Sequence, residues 1–506
     1  MPTILSFVDL LCATLTVYVL WHWASRSKQP LPPGPKGLPL IGNVLDMPTA
    51  HEWLTFAHWQ QKWGDIIHLN LLGQHMIILN SASHAFELLD KNSAINSDRP
   101  TLIMGGELVG WSNTLALTHY GERLREYRRF FSRFMGSKAQ ISRFHGLVEQ
   151  ETVKFLLRIQ RAPKDIHAHI RRTAGAIILY MTYGYSVGED TDHFVEHVEK
   201  TVDEFTHSTA PGAFLVDVLP VLRYLPAWFP GAGFQKIVKA WRKDIMEMAD
   251  HPFELVKKQL NDGTAIPSFT SHLLETEKLN PEKEFNIKWT AASMYSGGAD
   301  TTVSAIYSFF LCMTLYPEAQ QKAQAEIDSV IGSDRLPGLA DRDQLPYVEA
   351  LVKEVFRLNP VAPLAVPHTS TEDQIYAEYF IPKGSIILAN IWNFLHDPNV
   401  YNGPSHFRPE RYLGANPERD PREVAFGFGR RICPGLHLAD ASIWLSCAMT
   451  LATYNITKTF EDGQFIEPIC EYTTGTISHP VDFDCTVKPR SSKSEALLSS
   501  LRDEAN

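Results

Sequence analysis

The sequence predicts a mainly α-helical chain with a minor β portion, folded as one large domain behind an N-terminal apolar helix. Three observations predict it. Amphipathic stretches with apolar residues at three- and four-residue spacing fill the middle of the chain, as at Gln320 to Ile331 and Tyr347 to Leu358. β-type runs are short and lie far apart in sequence: Asp65 to Leu72 and His75 to Asn80 about Gly73, then Ile375 to Ile381 and Ser385 to Ala389 about Pro382 to Gly384. Pairing among them makes a small sheet from distant parts of the chain. No repeat, low-complexity tract or Gly/Ser linker divides the region 45–490, which therefore reads as one domain.

Composition narrows the function classes. A chain of 506 residues that is 44% hydrophobic can bury an extensive core and is not a disordered chain. A net charge of -10 with no basic run leaves no electrostatic footprint for phosphate backbones, so nucleic acid is not an expected partner. The six cysteines, Cys12, Cys312, Cys433, Cys447, Cys470 and Cys485, form no CxxC pair. That argues against a disulfide scaffold and a four-ligand zinc site, and for reduced thiols facing the cytosol.

From the N-terminus, residues 1–28 read as a membrane anchor with a basic flank. Ile4 to Trp23 is apolar and long enough as a helix to cross the ~30 Å hydrocarbon core of a bilayer. Trp21 and Trp23 suit the interface, and Arg26 and Lys28 place the following domain in the cytosol. A cleaved signal peptide fits less well, because no basic region precedes the apolar run. Asp9 is costly in lipid, roughly 2.5 to 3.5 kcal/mol at mid-membrane, and less near a helix end. Residues 29–44 contain LPPGPKGLPLIG, a proline-rich hinge whose prolines block helix and stiffen the segment. Residues 491–506 form a polar, serine-rich tail without a packed-core pattern or retention signal, and are expected to fray.

The segment that carries chemistry is FGFGRRICPG, Phe426 to Gly435, followed by the apolar run Leu436 to Thr453. Gly427 and Gly429 permit backbone conformations closed to other residues, and Pro434-Gly435 sets up a helix start just after Cys433. The sulfur then lies among backbone N–H groups at the positive end of a helix, which stabilises the thiolate that a metal needs. A buried inert thiol is the reading for Cys312 and Cys447. Zinc held by Cys433 and His437 is a further alternative, but no second ligand pair is spaced to complete it.

This segment resembles the cysteine signature FxxGxRxCxG of the cytochrome P-450 family at Phe426, Gly429, Arg431, Cys433 and Gly435. The resemblance implies the P-450 fold and haem b (iron protoporphyrin IX), with Cys433 as the axial thiolate metal ligand and Arg431 as a partner of a haem propionate. Thiolate ligation favours O–O cleavage and hence oxygen activation. Other motifs stand in the order that family requires. Glu354 and Arg357 in KEVFR lie on one helix face, and Arg411 of FRPERY is the arginine that family members use to complete a buried triad with them. The resemblance assigns this triad to folding and haem retention.

GGADTT, Gly297 to Thr302, lies in a long helical run from near Phe285 to Pro317. Glycine inside a helix costs about 1 kcal/mol relative to Ala, so the pair Gly297-Gly298 needs a reason, and a local opening beside a ligand supplies one. The motif resembles the family's oxygen-binding helix, with Asp300 and Thr301 as the catalytic acid–alcohol pair that delivers protons for oxygen activation. Arg128 falls on the arginine of the family's WxxxR motif, with Leu124 in place of the tryptophan, so one propionate contact is absent or supplied elsewhere. His368 in PLAVPH matches a further haem-binding position. Arg125 and Arg129 are expected at the surface.

By resemblance, substrate contacts fall at Leu102 to Trp111, near Met294 and Ala299, at Val361 to Val366 and at Thr473 to Thr476. All are largely apolar, as suits a lipophilic or aromatic substrate. Ala210 to Gly231, rich in aromatic and aliphatic groups broken by prolines, is expected to dip into the bilayer. It looks similar to segments of fungal family members in secondary metabolism. The implied function is monooxygenation of a small lipophilic metabolite, a terpenoid, polyketide or aromatic/alkaloid, with O2. No GxGxxG is present, so electrons are expected from a separate membrane NADPH-cytochrome P-450 reductase, docked near Arg430 and the Arg123 to Arg129 cluster. The expected location is the endoplasmic reticulum membrane, single-pass, with the catalytic domain facing the cytosol. The rivals are a haem-thiolate isomerase or dehydratase and a non-catalytic haem or ligand-binding protein. Neither needs the proton relay of Asp300 and Thr301.

Overall fold

The computed structural model describes residue 13 and residues 29–188, 191–210 and 212–505. Apart from Ala13, the expected anchor Ile4 to Trp23 lies outside the described residues. Among the described residues no helix is long and apolar enough to cross a membrane.

The proline-rich segment is docked along the first strand. The Pro33 carbonyl accepts the His68 N–H at 2.9 Å, and a bridge joins Gly42 to Leu71. At Gly42, φ is +62° and a Cβ would stand 2.0 Å from the Asn70 carbonyl oxygen, so the close approach requires glycine. Its stiffness thus comes from pairing with the sheet as well as from proline.

Strands β1 (Ile66–Leu71) and β2 (Gln74–Leu79) form an antiparallel hairpin. Distant strands complete the sheet: β3 (His368–Thr369) pairs with β6 (Ile386–Ala389), and β6 runs parallel to β2, giving the order β1-β2-β6-β3. The expected single run over Ile375 to Ile381 is instead a separate tight hairpin of β4 (Gln374–Tyr376) and β5 (Tyr379–Ile381). It turns at Ala377 and Glu378, both with positive φ, which gives the twist a two-residue hairpin needs without the usual Asn or Gly.

Helices make up most of the rest. Those that position the site are α1 (Glu122–Met135), α2 (His145–Arg161), α3 (Ile166–Tyr183), α4 (His193–Thr209), α5 (Phe234–Asn261), α6 (Pro281–Leu315), α7 (Pro346–Leu358) and α8 (Leu436–Thr453). The 35-residue α6 runs through the main core with Trp289, Tyr295, Phe309 and Phe310 buried on several sides, and it packs most closely on α3. Apolar residues all round, rather than one stripe, are what a helix enclosed by others requires.

The chain ends differently from the sequence expectation. Instead of fraying, residues Ser492–Ala505 form a helix, α9, whose Leu498 is fully buried in the main core. The Ser491 hydroxyl accepts the Ser494 N–H at 3.2 Å and caps its start. Leu497, Leu498 and Leu501 stand at helical spacing in it, a pattern that the serine-rich composition masks.

The expected triad closes at the heart of the fold. Arg357 makes two bonds to Glu354, Nε to Oε2 at 2.8 Å and Nη2 to Oε1 at 2.9 Å, and Arg411 Nε lies 3.0 Å from Glu354 Oε2. All three side chains are fully buried, and Arg411 also binds Glu418 at 2.6 Å. Removing one partner from a buried pair costs about 3–5 kcal/mol, because the other charge is left without water or counter-ion. Arg357 further donates to the Leu395 and His406 carbonyls, which ties α7 to the segment before the cysteine loop.

Candidate active site

The cysteine loop is built as its glycines required. Gly429 has φ +52° and packs where a Cβ would come 2.4 Å from the Leu89 carbonyl oxygen, and Gly427 has φ +79°. The Cys433 N–H donates to the Phe426 carbonyl at 2.8 Å, closing the turn, and α8 starts three residues later. Burial pushes the Cys433 thiol up, while the Gly435 N–H and the Arg128 charge pull it down. A metal that displaces the thiol proton gains from those same two groups.

Cys433 opens on a cavity of about 360 Å³, within the range of small-molecule sites. Helix α6 brings Gly297, Gly298, Thr301 and Thr302 to the same cavity. The two glycines have different reasons. A Cβ on Gly298 would meet Ile178 of α3 at 2.8 Å, whereas Gly297 faces open space. The helix runs unbroken past them, so the expected opening of its ladder does not occur. The Gly297 carbonyl instead takes a second bond, from the Thr301 hydroxyl at 2.7 Å.

Cations gather along one part of the wall. Arg128, Arg431 and His368 all line the cavity, as does Arg99, which the sequence reading did not single out. Among the described residues no aspartate or glutamate lines it. Arg431 spends its guanidinium on the carbonyls of Ser97 and Thr118, both at 2.7 Å, and Arg128 Nη1 donates to the Ile432 carbonyl at 2.7 Å. Arg99 donates to the carbonyls of Ala116, Val366 and Pro367 at 2.7 to 2.8 Å, leaving Nη2 without a protein partner. Burial and the neighbouring Arg431 hold Arg99 well below the usual guanidinium range. Burial first, then Arg99 and Arg431, hold His368 well below the usual imidazole range. Its Nδ1 donates to the Asn96 carbonyl at 2.7 Å, so Nε2 is left for another partner. Like charges in one buried wall repel, and the arrangement gains stability when an anion with two carboxylates lies among them.

Leu124 lines the cavity where the matched motif would have a tryptophan, and offers no donor. Arg125, Arg129 and Arg430 are exposed, as expected of the first two. Cys312 and Cys447 are buried in the core, with thiols pushed up by burial. Among the described residues no metal-binding cluster joins Cys433 to His437.

Asp300 does not line this cavity. Its carboxylate turns aside to His479, with Nε2 3.0 Å from Oδ2, next to a void of about 10 Å³ bounded also by Arg171 and Glu199. Burial alone would raise its pKa; the His479 bond and the charges of His479, Arg171 and His167 outweigh that and hold it low. Thr301 lines the main cavity while Asp300, its neighbour on the helix, lines the void.

The sequence profile of the cytochrome P-450 family matches residues 32–472. The chain belongs to the cytochrome P-450 family. It is 52% identical to cytochrome P-450 monooxygenase 208 of Postia placenta over 490 residues, 96% of each chain. It is 46% identical to cytochrome P-450 monooxygenase claR of Ampulloclitocybe clavipes over 508 residues, 99% of this chain and 94% of that one. It is 42% identical to cytochrome P-450 monooxygenase ppsD of Aspergillus oryzae over 497 residues, 96% and 94% of the two chains. The protein is thus a P-450 monooxygenase, an oxidoreductase that incorporates molecular oxygen, and its cofactor is a haem with an axial cysteine thiolate. The cavity fits that group: one thiol in its wall, apolar sides, and buried cations with no carboxylate of their own beside them.

The expected substrate positions are divided by the geometry. Trp111, Met294, Val361, Ala362, Val366 and Thr476 line the cavity, whereas Ala299 lines the small void beside Asp300. Over the cavity, the turn Ile103–Val109 is tied to the segment after α4. Asp217 accepts the Met104 N–H at 2.8 Å, and Glu107 pairs with Arg223 at 2.7 Å.

Proposed function

We propose that this P-450 oxidises a small, neutral, lipophilic metabolite of secondary metabolism, with Cys433 as the haem ligand and Arg431, Arg128, His368 and Arg99 as the partners of its carboxylates. The observation that carries this is the cavity wall: one thiol, α6 hydroxyls, apolar side chains and no acidic residue. Bound haem supplies the redox chemistry, taking electrons and activating dioxygen for insertion of one oxygen atom.

The chain's own residues do the rest. Trp111, Met294 and the Val361 to Val366 stretch exclude water and orient an apolar substrate by shape. Without a carboxylate in the wall, a cationic amine finds no counter-ion and is disfavoured. Thr301 holds a hydroxyl at the cavity, and Asp300, one residue earlier, is the acid that passes protons inward. Electrons come from NADPH through a separate membrane reductase, drawn by the exposed Arg430, Arg125 and Arg129 near the cysteine loop.

The test combines binding and turnover. Candidate neutral metabolites, including terpenoids, polyketides and aromatic compounds, should change the haem spin state of the purified protein. Those that do should yield a product heavier by one oxygen, or its dehydrogenated equivalent, only with reductase, NADPH and O2. Turnover without reductase would overturn the monooxygenase assignment of this site in favour of isomerisation.

The same reading places the protein in the endoplasmic reticulum membrane, anchored by Ile4 to Trp23 with the domain in the cytosol. Exposed apolar side chains in the segment before α5 support a second contact with lipid: Trp228 is 81% exposed, Tyr224 73% and Leu215 71%. Deleting residues 1–28 is expected to release much of the protein from membrane pellets, and additionally replacing Leu215, Tyr224 and Trp228 by Ser should release the remainder. Unchanged sedimentation of both variants would remove the anchor.

A further inference from the structure

The pair Asp300–His479 has a geometry that a plain structural ion pair does not need. His479 sits in the segment Thr476–His479, whose first two residues, Thr476 and Ile477, line the main cavity. That segment is rigidly held: Ser478 accepts the Ser304 hydroxyl at 2.6 Å and donates its N–H to Val361 at 2.9 Å, and the His479 N–H donates to the Thr473 hydroxyl at 3.0 Å. The imidazole then spends its polar capacity on one partner. Nε2 meets Asp300 Oδ2 at 3.0 Å, and Nδ1 is buried without a protein partner. A carboxylate only accepts, so Nε2 carries the proton of that bond.

Other groups face the pair from every side. Helix α3 contributes His167 and Arg171, α4 contributes Glu199 and Asp203, α6 contributes Tyr307, and the C-terminal segment contributes Asp482. Arg171 is engaged by Glu199 and donates Nε to His167 at 3.3 Å. Beside Asp300 lies the void of about 10 Å³, room for about one water, bounded by Arg171 and Glu199 on its far side. Asp300 thus stands between this void and the main cavity, and lines the void.

We propose that His479 is a positioning residue for proton delivery: its Nε2–H holds the Asp300 carboxylate outside the cavity, beside the water-sized void, by a bond that can let go. This rests on the reading of Asp300 as the proton donor. In the step implied, a hydronium ion entering the void gives one proton to Asp300 and is left as water, the acid turns about its side-chain bonds to give that proton to the cavity side, and it returns as carboxylate to His479. Nothing is oxidised or reduced in it. The other donor in reach is the Arg171 guanidinium, which offers a carboxylate a fork of N–H groups where the imidazole offers a single one. Without His479, the carboxylate falls to Arg171 and stays there.

The experiment uses full-length holoprotein with reductase and NADPH and no added substrate, and reads the ratio of peroxide to water formed from O2. In His479→Ala the ratio should rise about tenfold, as expected when a positioned proton donor is lost in part. His479→Gln keeps an N–H donor and should stay within about twofold of the parent. Asp300→Asn should raise the ratio at least as far as His479→Ala, and the double variant Asp300→Asn/His479→Ala should add nothing to Asp300→Asn alone, since the two act as one unit. Haem content and the carbon monoxide spectrum should be those of the parent. Should His479→Ala lose haem, His479→Phe keeps the ring volume without the donor and carries the same expectation. An unchanged ratio in His479→Ala, failure of His479→Gln to restore it, or multiplied effects in the double variant would each overturn the positioning role. If Asp300→Asn is itself unchanged, Asp300 is not the donor and both readings fall. If only the His479 variants are silent, the donor reading stands and this one falls.

Discussion

Cys433→Ala should abolish the spectrum of thiolate-ligated haem and all NADPH-dependent oxidation. The reduced parent protein with carbon monoxide is expected to show the red-shifted absorbance of thiolate ligation. The variant should show none, because among the described residues no other cysteine lines the cavity. The loss is chemical, since the turn is set elsewhere: by the Cys433 N–H to Phe426 bond at 2.8 Å, and by Gly429 against Leu89. Neither involves the sulfur, so far-UV circular dichroism should be that of a folded protein. Cys470→Ala, at an exposed position, is the control and should leave the spectrum intact. Retention of the red-shifted band in Cys433→Ala would remove the central assignment.

Much of the site was legible in the sequence because its parts demand unusual residues. The cysteine turn needs two glycines at positive φ, and the buried triad needs one acid and two arginines in a place where hydrophobic side chains would otherwise stand. Such demands override local propensity and so leave a mark. The sheet was legible for a simpler reason: its strands alternate or run apolar over short lengths between turn residues, and β2 and β6 found each other across the chain.

What escaped is what depends on long-range placement. Arg99 sits before a proline in an irregular stretch with no period, and reaches the cavity only because Val366 and Pro367, far along the chain, present carbonyls to it. Nothing in its neighbourhood separates it from an ordinary surface arginine. His479 is likewise one histidine in a loop, and its contact with Asp300 follows from where α6 presents that acid. The orientation of Asp300 was not legible in helix spacing either. Asp300 is three residues from Gly297 and one from Thr301, spacings that leave it beside the cavity-facing residues, and its bond to His479 is what draws the carboxylate aside. Adjacent in sequence, the two residues Asp300 and Thr301 line different spaces.

Under the proposed proton relay, Thr301 is the other sensitive point. Thr301→Ala should leave haem bound and the helix intact, because alanine is the better helix former and the ligand comes from α8's loop. It removes the hydroxyl at the cavity wall. In this structure that hydroxyl donates to the Gly297 carbonyl at 2.7 Å, so toward the cavity it presents oxygen lone pairs able to accept a proton or an ordered water. Asp300, turned to His479, cannot fill the gap without crossing the helix surface to the cavity side. Electrons should therefore be consumed without product. A positioned proton-transfer group is typically worth 10² to 10⁴-fold, so product formed per NADPH should fall by about tenfold or more while peroxide rises in step. Thr301→Ser, which keeps the hydroxyl, should recover most of the coupling. NADPH consumption itself should change little, since electron entry depends on the cysteine-loop face and not on α6. Full coupling in Thr301→Ala would show that protons reach the cavity by a path that bypasses this wall, and the acid–alcohol series would have to be abandoned.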